Sequence, residues 1–268
     1  MKALKKLKNY CCFIGYVRTG HTLVSSLLDA HENIAISNEK NIVRKLTTSK
    51  RSRDKLFKDI IEHSAAFAKH KREWTEYSYY VEDGSHGKFT SLHTIGDKQA
   101  GSNTGDLVSL KTMNKFEKAI GLPVRYIHVI RNPLDSISSG HLLKVKLRDY
   151  KNNKKTLDYV IGHYIDRMNQ TKKIKSRRPK TTITVYLEEL IANPTGEIRR
   201  MLKFLNLKAS DAYLKSCAAL IFKKPNDSFS KVKWEKRQIE KVYNHISSIK
   251  DFEIYLECIK GKLRAASN

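Results

Sequence analysis

The chain predicts an α/β fold in three layers, a parallel sheet with helices on both faces. Short apolar runs alternate with longer amphipathic stretches along the chain, which is the pattern of βαβ crossovers. The strongest run, Val124–Ile130, is bounded by Pro123 and Pro133 and has the length of a buried strand. The length of 268 residues suits one core of this kind. The expected organisation is therefore a single domain over 1–268, with its core over about 10–235 and C-terminal helices over 234–260.

Each element follows from its pattern. Tyr10–Ile14 is a short apolar run stopped by Gly15, hence the first strand. Thr22–His31 is a helix with Leu23, Leu27 and Leu28 on one face, and Ile34–Ser37 is the second strand. Lys55–Lys69 is amphipathic through Leu56, Ile60, Ile61 and Phe67. Leu92–Gly96 is a third strand and Val124–Ile130 the fourth. Ile137–Leu147 and Leu157–Lys175 read as helices, and the β-branched Thr181–Leu187 as the fifth strand. Helices Thr195–Leu205, Ala209–Phe222 and Trp234–Ile249 complete the chain. Trp74–Gly87, with Tyr77, Tyr79 and Tyr80, interrupts the alternation. It reads either as a hairpin or loop against the sheet edge, or as an aromatic lid over an acceptor.

Lys and Arg number 52 against 27 Asp and Glu, a formal charge of +25. Such an excess predicts anionic partners. It is uneven: Lys144–Lys180 carries 13 Lys/Arg against Asp149, Asp158 and Asp166. A solvated basic helix is the competing reading of that stretch. No apolar run reaches about 18 residues, so no membrane-spanning helix is expected. The charged start, Met1-Lys2-Ala3-Leu4-Lys5, precedes no long apolar stretch and does not read as a secretory signal. Cys11, Cys12, Cys217 and Cys258 form no CxxC pair. They read as reduced core thiols of a cytoplasmic protein, with no metal site.

Chemistry is expected at the carboxyl ends of the strands. After the first comes Gly15-Tyr16-Val17-Arg18-Thr19-Gly20-His21-Thr22, with the spacing G-x-x-x-x-G-x-T. Backbone N–H groups and a helix N-terminus there suit an anion. In an ATPase the residue after the second glycine is lysine. Here it is His21, and the cation sits at Arg18. After the fourth strand comes Arg131-Asn132-Pro133-Leu134-Asp135, with Ser139 about two helical turns beyond Arg131. A guanidinium and a hydroxyl there form a second anion site. Asp135 reads as the acid of a first helical turn.

These two sites resemble those of the sulfotransferase superfamily, closer to its Golgi-type and bacterial branches than to the cytosolic branch. Arg18-Thr19-Gly20-His21-Thr22 is similar to the 5′-phosphosulfate loop (R/K)-x-G-T-T, with His21 in place of a hydroxyl residue. Arg131-Asn132-Pro133-Leu134-Asp135…Ser139 is similar to the 3′-phosphate motif R-N-P-x-D-x-x-x-S. Val185-Tyr186-Leu187-Glu188-Glu189-Leu190…Pro194 and Ile95-Gly96-Asp97-Lys98 resemble two further family segments, in the family's order.

The resemblance implies a P-loop-like fold and transfer of a sulfuryl group from 3′-phosphoadenosine 5′-phosphosulfate (PAPS) to a hydroxyl or amine, without a metal. It implies that Arg18, Thr19, Gly20, His21 and Thr22 hold the 5′ side, and Arg131 and Ser139 the 3′-phosphate. Ser230 and Lys231, in Asp227–Trp234, resemble the loop that closes over PAPS, with Trp234 packed beside it. The cytosolic branch takes its base as a histidine after the third strand, where this chain has Asp97-Lys98. The Golgi-type branch uses a glutamate after the second strand, which here is Glu39. His86 and His141 compete for that role, and Lys98 resembles a transition-state lysine. The acceptor is expected to be a small molecule or glycan, anionic ones included, and not nucleic acid. Two rivals stay open: a P-loop kinase or NTPase, and a basic nucleic-acid binder, although no RNP, zinc-finger or basic-zipper motif occurs.

Overall fold

The computed structural model describes residues 3–49, 51–147 and 150–266. Met1 and Lys2 of the charged start, and Arg148 and Asp149 of the basic stretch, lie outside the described residues. The elements run β1 (Asn9–Ile14), α1 (His21–Asp29), β2 (Ile34–Asn38), α2 (Ile42–Thr48), α3 (Arg53–Lys69), β3 (Glu73–Trp74), β4 (Tyr77–Ser78), β5 (Thr94–Lys98), α4 (Ala100–Leu107), α5 (Leu110–Ile120) and β6 (Val124–Ile130). They continue with α6 (Pro133–Leu147), α7 (Lys154–Arg177), β7 (Thr182–Tyr186), α8 (Leu187–Ala192), α9 (Pro194–Phe204), α10 (Asp211–Leu220), α11 (Lys236–Ile246) and α12 (Leu256–Ala265).

Five strands form one parallel sheet in the order β2-β5-β1-β6-β7. Alternation along each strand feeds two cores. Cys11 and Phe13 of β1 face one side, with Leu27 and Leu28 of α1, Met201 of α9 and Leu214 of α10. Tyr10, Cys12 and Ile14 face the other, with Ile42 of α2, Phe57 of α3, Met113 and Phe116 of α5 and Ile174 of α7. A third cluster joins α6, α7, α11 and α12 around Ile137, Ile161, Val242 and Ile259. Removing one such buried side chain, Phe13→Ala for example, costs about 3–5 kcal/mol.

Several elements differ from the sequence pattern. The third strand of the sheet is Thr94–Lys98, two residues beyond the predicted run. The pattern reads Asp97 and Lys98 as the end of a strand because they are charged. Both are buried within it, because neighbouring groups pair with them (below). Gly96 lies at the centre of this strand, and a Cβ there would meet the Cys11 carbonyl oxygen at 2.4 Å. Helices α4 and α5 fill an interval for which the pattern predicts nothing. The segment of α4 has two glycines and little apolar periodicity. It is held by tertiary bonds, Asn103 Nδ2 donating to the Phe13 carbonyl at 3.1 Å and Thr104 Oγ1 accepting from Gly15 N at 2.7 Å.

Cys11, Cys12 and Cys217 are buried, but Cys258 is exposed on α12, contrary to its reading as a core thiol. The Trp74–Gly87 segment begins as an antiparallel hairpin, β3 with β4. Its two-residue turn, Thr75 and Glu76, has φ of 47° and 69°, the left-handed pair that a tight hairpin needs. Among the described residues no helix is long and apolar enough to cross a membrane.

Candidate active site

The sheet order sets the carboxyl ends of β2, β5, β1 and β6 side by side. Residues 15–20 turn from β1 into α1. Gly20 has φ of 96°, and a Cβ there would meet Leu187 Cδ1 at 2.9 Å, so only glycine fits. Arg18 also takes a left-handed backbone, with φ of 66°. Beneath the loop the His21 ring is fully enclosed. Its Nε2 lies 3.1 Å from the Ile14 carbonyl oxygen and its Nδ1 2.9 Å from Thr19 Oγ1. A carbonyl only accepts, so Nε2 carries the proton and the Thr19 hydroxyl donates to Nδ1. Burial holds the ring neutral, its pKa down at about 3. The side chains of Thr19 and His21 thus tie the loop to the strand beneath it and turn inward. What His21 and Thr22 offer an anion is chiefly their N–H groups, which have no intrahelical acceptor in a first helical turn.

The second corner is built on β6 and α6. Arg131 Nη2 donates to the Asn226 carbonyl and lies 3.5 Å from Ser228 Oγ. Its Nε is buried with no partner among the described residues. Asp135, read from the sequence as a helix-end acid, accepts N–H bonds from Ser228 and Phe229 at 2.6 and 2.9 Å. Trp234 Nε1 donates to Ser138 Oγ at 2.9 Å. Ser139 does not meet Arg131; it accepts from Arg18 Nε at 3.0 Å, linking the two corners. Ser230 and Lys231 are both exposed, Ser230 N donating to Asp227 Oδ1 at 3.1 Å and Lys231 Nζ lying 3.5 Å from Asn226 Oδ1.

At the ends of β2 and β5, Lys98 Nζ lies 2.8 Å from Glu39 Oε1. The lysine side chain is buried, whereas the glutamate is 40% exposed. Burial lowers the pKa of Lys98, and the Glu39 carboxylate draws it back up. Asp97 fixes the turn that carries Glu39. It accepts from Ser37 Oγ at 2.6 Å, Lys40 N at 3.0 Å and Ile42 N at 3.3 Å. Burial pushes its carboxyl above the usual range, and these bonds pull it down again. The Trp74 ring lies 5.4 Å from Lys98 Nζ, within cation–π range. The hairpin therefore covers the carboxyl end of the sheet rather than an edge. Tyr79, beyond it, has its phenol pKa raised by burial and drawn down by the Arg18 charge.

The competing bases are buried. His86 Nε2 lies 3.0 Å from Val81 N, and the ring stacks on Tyr80. His141 Nε2 lies 2.8 Å from Asn152 Oδ1. Arg18, Glu39, Lys98, Arg131 and Ser139 thus gather at one end of the sheet, whereas the His86 and His141 side chains are buried. Asp97 and Ser228 lie in segments the sequence singles out, but it assigns no contact to them, nor to Trp74 or Ser138. Trp74 lay in the flagged aromatic segment. Nothing in the spacing marks Ser138.

A parallel α/β sheet with an arginine after each of two strands, and an inward-facing histidine where an NTPase has its lysine, matches one class of protein, group-transfer enzymes of the P-loop-like α/β fold. The family can now be given. The model of the sulfotransferase family matches residues 12–211, and the chain belongs to that family. It is an enzyme of sulfuryl transfer, and neither rival reading gains support.

The fold is similar to that of sulfotransferase STF9 from Mycobacterium avium (TM-score 0.55, 11% identity, covering 93% of this chain and 78% of that one). It is similar to mouse SULT7A1 complexed with PAP (0.53, 10%, covering 97% and 90%). A third likeness is to the sulfotransferase domain of the Synechococcus PCC 7002 olefin synthase (0.51, 13%, covering 85% and 82%). At these identities the likeness is one of fold. A search of curated sequences finds no significant match.

Proposed function

We propose that the sulfuryl donor is PAPS, bound across the two arginine corners, and that Glu39 is the base. The observation that carries this is the buried Arg131 Nε, a donor with no acceptor among the described residues. A buried unpaired guanidinium N–H is costly, and a 3′-phosphate would satisfy it. The mouse relative named above is a complex with PAP.

When bound, PAPS supplies the sulfuryl group and a phosphate leaving group. Arg18 and the N–H groups at the start of α1 hold the 5′ side and stabilise charge developing on the leaving oxygen. Arg131 holds the 3′-phosphate. Ser139 orients Arg18, and Ser230 and Lys231 lie on the segment that closes over the donor. Glu39 takes the acceptor proton, and Lys98 orients its carboxylate from below. Lys98 also sets a cation beside the transferring group. Charge is neutralised by these cations alone, so no metal is assigned a role. We assign the whole of 1–268 to one catalytic unit. Cytoplasmic location is the reading that suits its unpaired cysteines.

Calorimetry with PAP tests the donor. Wild-type protein should bind PAP in preference to ATP. Arg18→Ala and Arg131→Ala should each weaken PAP by about 10–150-fold, the worth of a charged hydrogen bond. Unchanged affinity in both variants overturns the assignment. Glu39→Gln should lower kcat by about 10²–10⁴ and leave PAP affinity unchanged. Full turnover in that variant removes Glu39 as the base.

A further inference from the structure

The pairing of β6 with β7 ends at Ile130 and Tyr186. Arg131 is the next residue, the first beyond the paired strand. A side chain takes over there. Glu188, two residues past Tyr186, accepts from Asn132 N at 2.9 Å through Oε1. Its Oε2 accepts from the Tyr255 hydroxyl at 2.6 Å. A carboxylate has acceptor oxygens on both sides, and both are used. Asn132 in turn starts α6: its Oδ1 accepts from Leu134 N at 3.0 Å and its carbonyl from Ser136 N at 2.9 Å. The backbone directly after Arg131 is thus gripped before and within the first helical turn.

Tyr255 ends a short 3₁₀ turn, Lys250–Tyr255, between α11 and α12. That turn is anchored to the core. Asp251 Oδ2 lies 2.5 Å from Lys175 Nζ of α7, and the same Nζ donates to Thr184 Oγ1 of β7 at 2.6 Å. The buried Phe252 ring lies 6.0 Å from Tyr16 of the donor loop and 6.3 Å from Tyr255. Tyr255 is buried as well. Burial, and then the Glu188 charge, raise its phenol pKa, so the hydroxyl keeps its proton and donates. Just beyond, on α12, Cys258 Sγ lies 4.0 Å from Asn132 Nδ2. The donor reading gives no role to Glu188 or to this part of the chain.

We propose that Glu188 and Tyr255 are positioning residues of the donor site, holding the Arg131–Asn132 backbone so that the guanidinium meets a 3′-phosphate. The C-terminal turn thereby sets the preference for a nucleotide that carries that phosphate. The proposal rests on the PAPS reading above. A guanidinium is planar, and its N–H groups point in fixed directions. The head of Arg131 is tied to the Asn226 carbonyl through Nη2, while its buried Nε has no partner among the described residues. Where Nε points is then set by two anchors, Asn226 at the head and Glu188 at the backbone. Loosening the second turns the N–H away from the phosphate, and misplacement by about 1 Å is costly in a preorganised site. Glu188 and Tyr255 act through Asn132.

Electrostatics alone makes the opposite prediction, which gives the test its force. Taking a carboxylate away from an anion site relieves repulsion and should tighten the ligand. Positioning requires that its loss weaken the ligand. Calorimetry with PAP and with adenosine 5′-phosphate (AMP), which lacks the 3′-phosphate, separates the two. Wild-type protein should prefer PAP to AMP. Glu188→Ala should cut that preference about tenfold and Tyr255→Phe about threefold, the range of one or two lost hydrogen bonds. AMP affinity should stay constant, which also reports that each variant is folded. Glu188→Gln should keep the preference, because an amide oxygen can accept from Asn132 N and its nitrogen can donate to the Tyr255 hydroxyl. Tighter PAP binding by Glu188→Ala overturns the proposal, as does equal weakening of PAP and AMP or an unchanged preference in both Glu188→Ala and Tyr255→Phe. Wild-type protein that binds PAP no better than AMP removes the donor reading and this proposal with it. A wild-type preference that survives in the variants removes this proposal alone.

Discussion

On the donor side of the cleft, Asp135 draws in Ser228 and Phe229 at 2.6 and 2.9 Å, Trp234 reaches Ser138 at 2.9 Å, and Arg18 meets Ser139 at 3.0 Å. At the β3–β4 hairpin, the tip is tied to α6 by Glu76 and Lys146, both largely exposed. The hairpin's root resembles the donor side instead. Arg72, the residue before β3, has no exposed surface and donates to Asp29 Oδ2 at 2.5 Å and to Ser26 Oγ at 2.9 Å. The difference follows the ligands. A donor of fixed shape is best met by a preorganised site. On the proposed reading an acceptor must enter and leave, which suits a hairpin fixed at its root and loose at its tip.

The largest effect should come from breaking the root. Asp29 accepts from Arg72, Ile36 N and Ser64 Oγ, all buried. Asp29→Asn would leave the Arg72 charge buried without its counter-ion, at a cost of about 3–5 kcal/mol. Removing both charges, Asp29→Asn with Arg72→Met, should recover much of that loss, because no buried charge remains and an amide oxygen still accepts from Ile36 N and Ser64 Oγ. Urea unfolding of the three proteins checks this. Equal destabilisation by the single and double changes would mean that the root is held by shape rather than by the pair.

Acid should reach the two regions at different pH. His21 lies under the donor loop with its pKa down at about 3, and burial also holds His128 well below its usual value. In the unfolded chain both would titrate near the ordinary histidine value of about 6.5. Below that pH the unfolded state binds protons that the native state does not, so stability falls as pH falls. The slope is about 1.4 kcal/mol per unit for each ring, from pH 6.5 down towards the native pKa. Asp29 behaves otherwise. Burial raises its pKa, but Arg72 and its hydrogen bonds lower it further, so it lies below the usual value. Its contribution is therefore complete above the ordinary aspartate range and fades only in stronger acid. Unfolding free energies at pH 7.0, 6.0 and 5.0 should show the histidine slope, and His21→Asn should reduce it by about one ring's share, ~1.4 kcal/mol per unit, leaving that of His128. A flat wild-type profile would contradict the buried neutral rings.

How much of this was legible in the sequence divides along the same line. The five strands follow from apolar runs, and both anion corners follow from spacing, because Gly20 and Arg131 serve backbone and charge requirements that only certain residues meet. The third strand ran two residues late, since the partners of Asp97 and Lys98 come from the turn after β2 and no local pattern contains them. His21 was visible as a substitution, but its inward ring depends on the Ile14 carbonyl and on Thr19 across the turn. Helix α4 was invisible because Asn103 and Thr104 bond to β1 and the loop rather than packing on a periodic apolar face. The aromatic segment declared its composition, yet its place over Lys98 required the buried Arg72–Asp29 pair, whose members lie 43 residues apart.

The smallest effect should come from the hairpin tip, and it tests the contrast most directly. Hydrogen bonding to Lys146, and then its charge, lower the pKa of Glu76, but the pair stands in solvent, where ion pairs are weak and salt-screened. Glu76→Gln should leave the melting temperature unchanged, because the root is untouched. It should alter acceptor KM by about twofold at low salt, as expected for one exposed pair, with PAP affinity constant. The gap between variant and wild type should close as salt rises, whatever the acceptor's own salt dependence, since that dependence is common to both. A gap that persists in high salt would mean that the tip is fixed by buried contacts after all. The acceptor rim would then be as rigid as the donor side, and the acceptor would have to bind a preformed surface rather than one that opens to admit it.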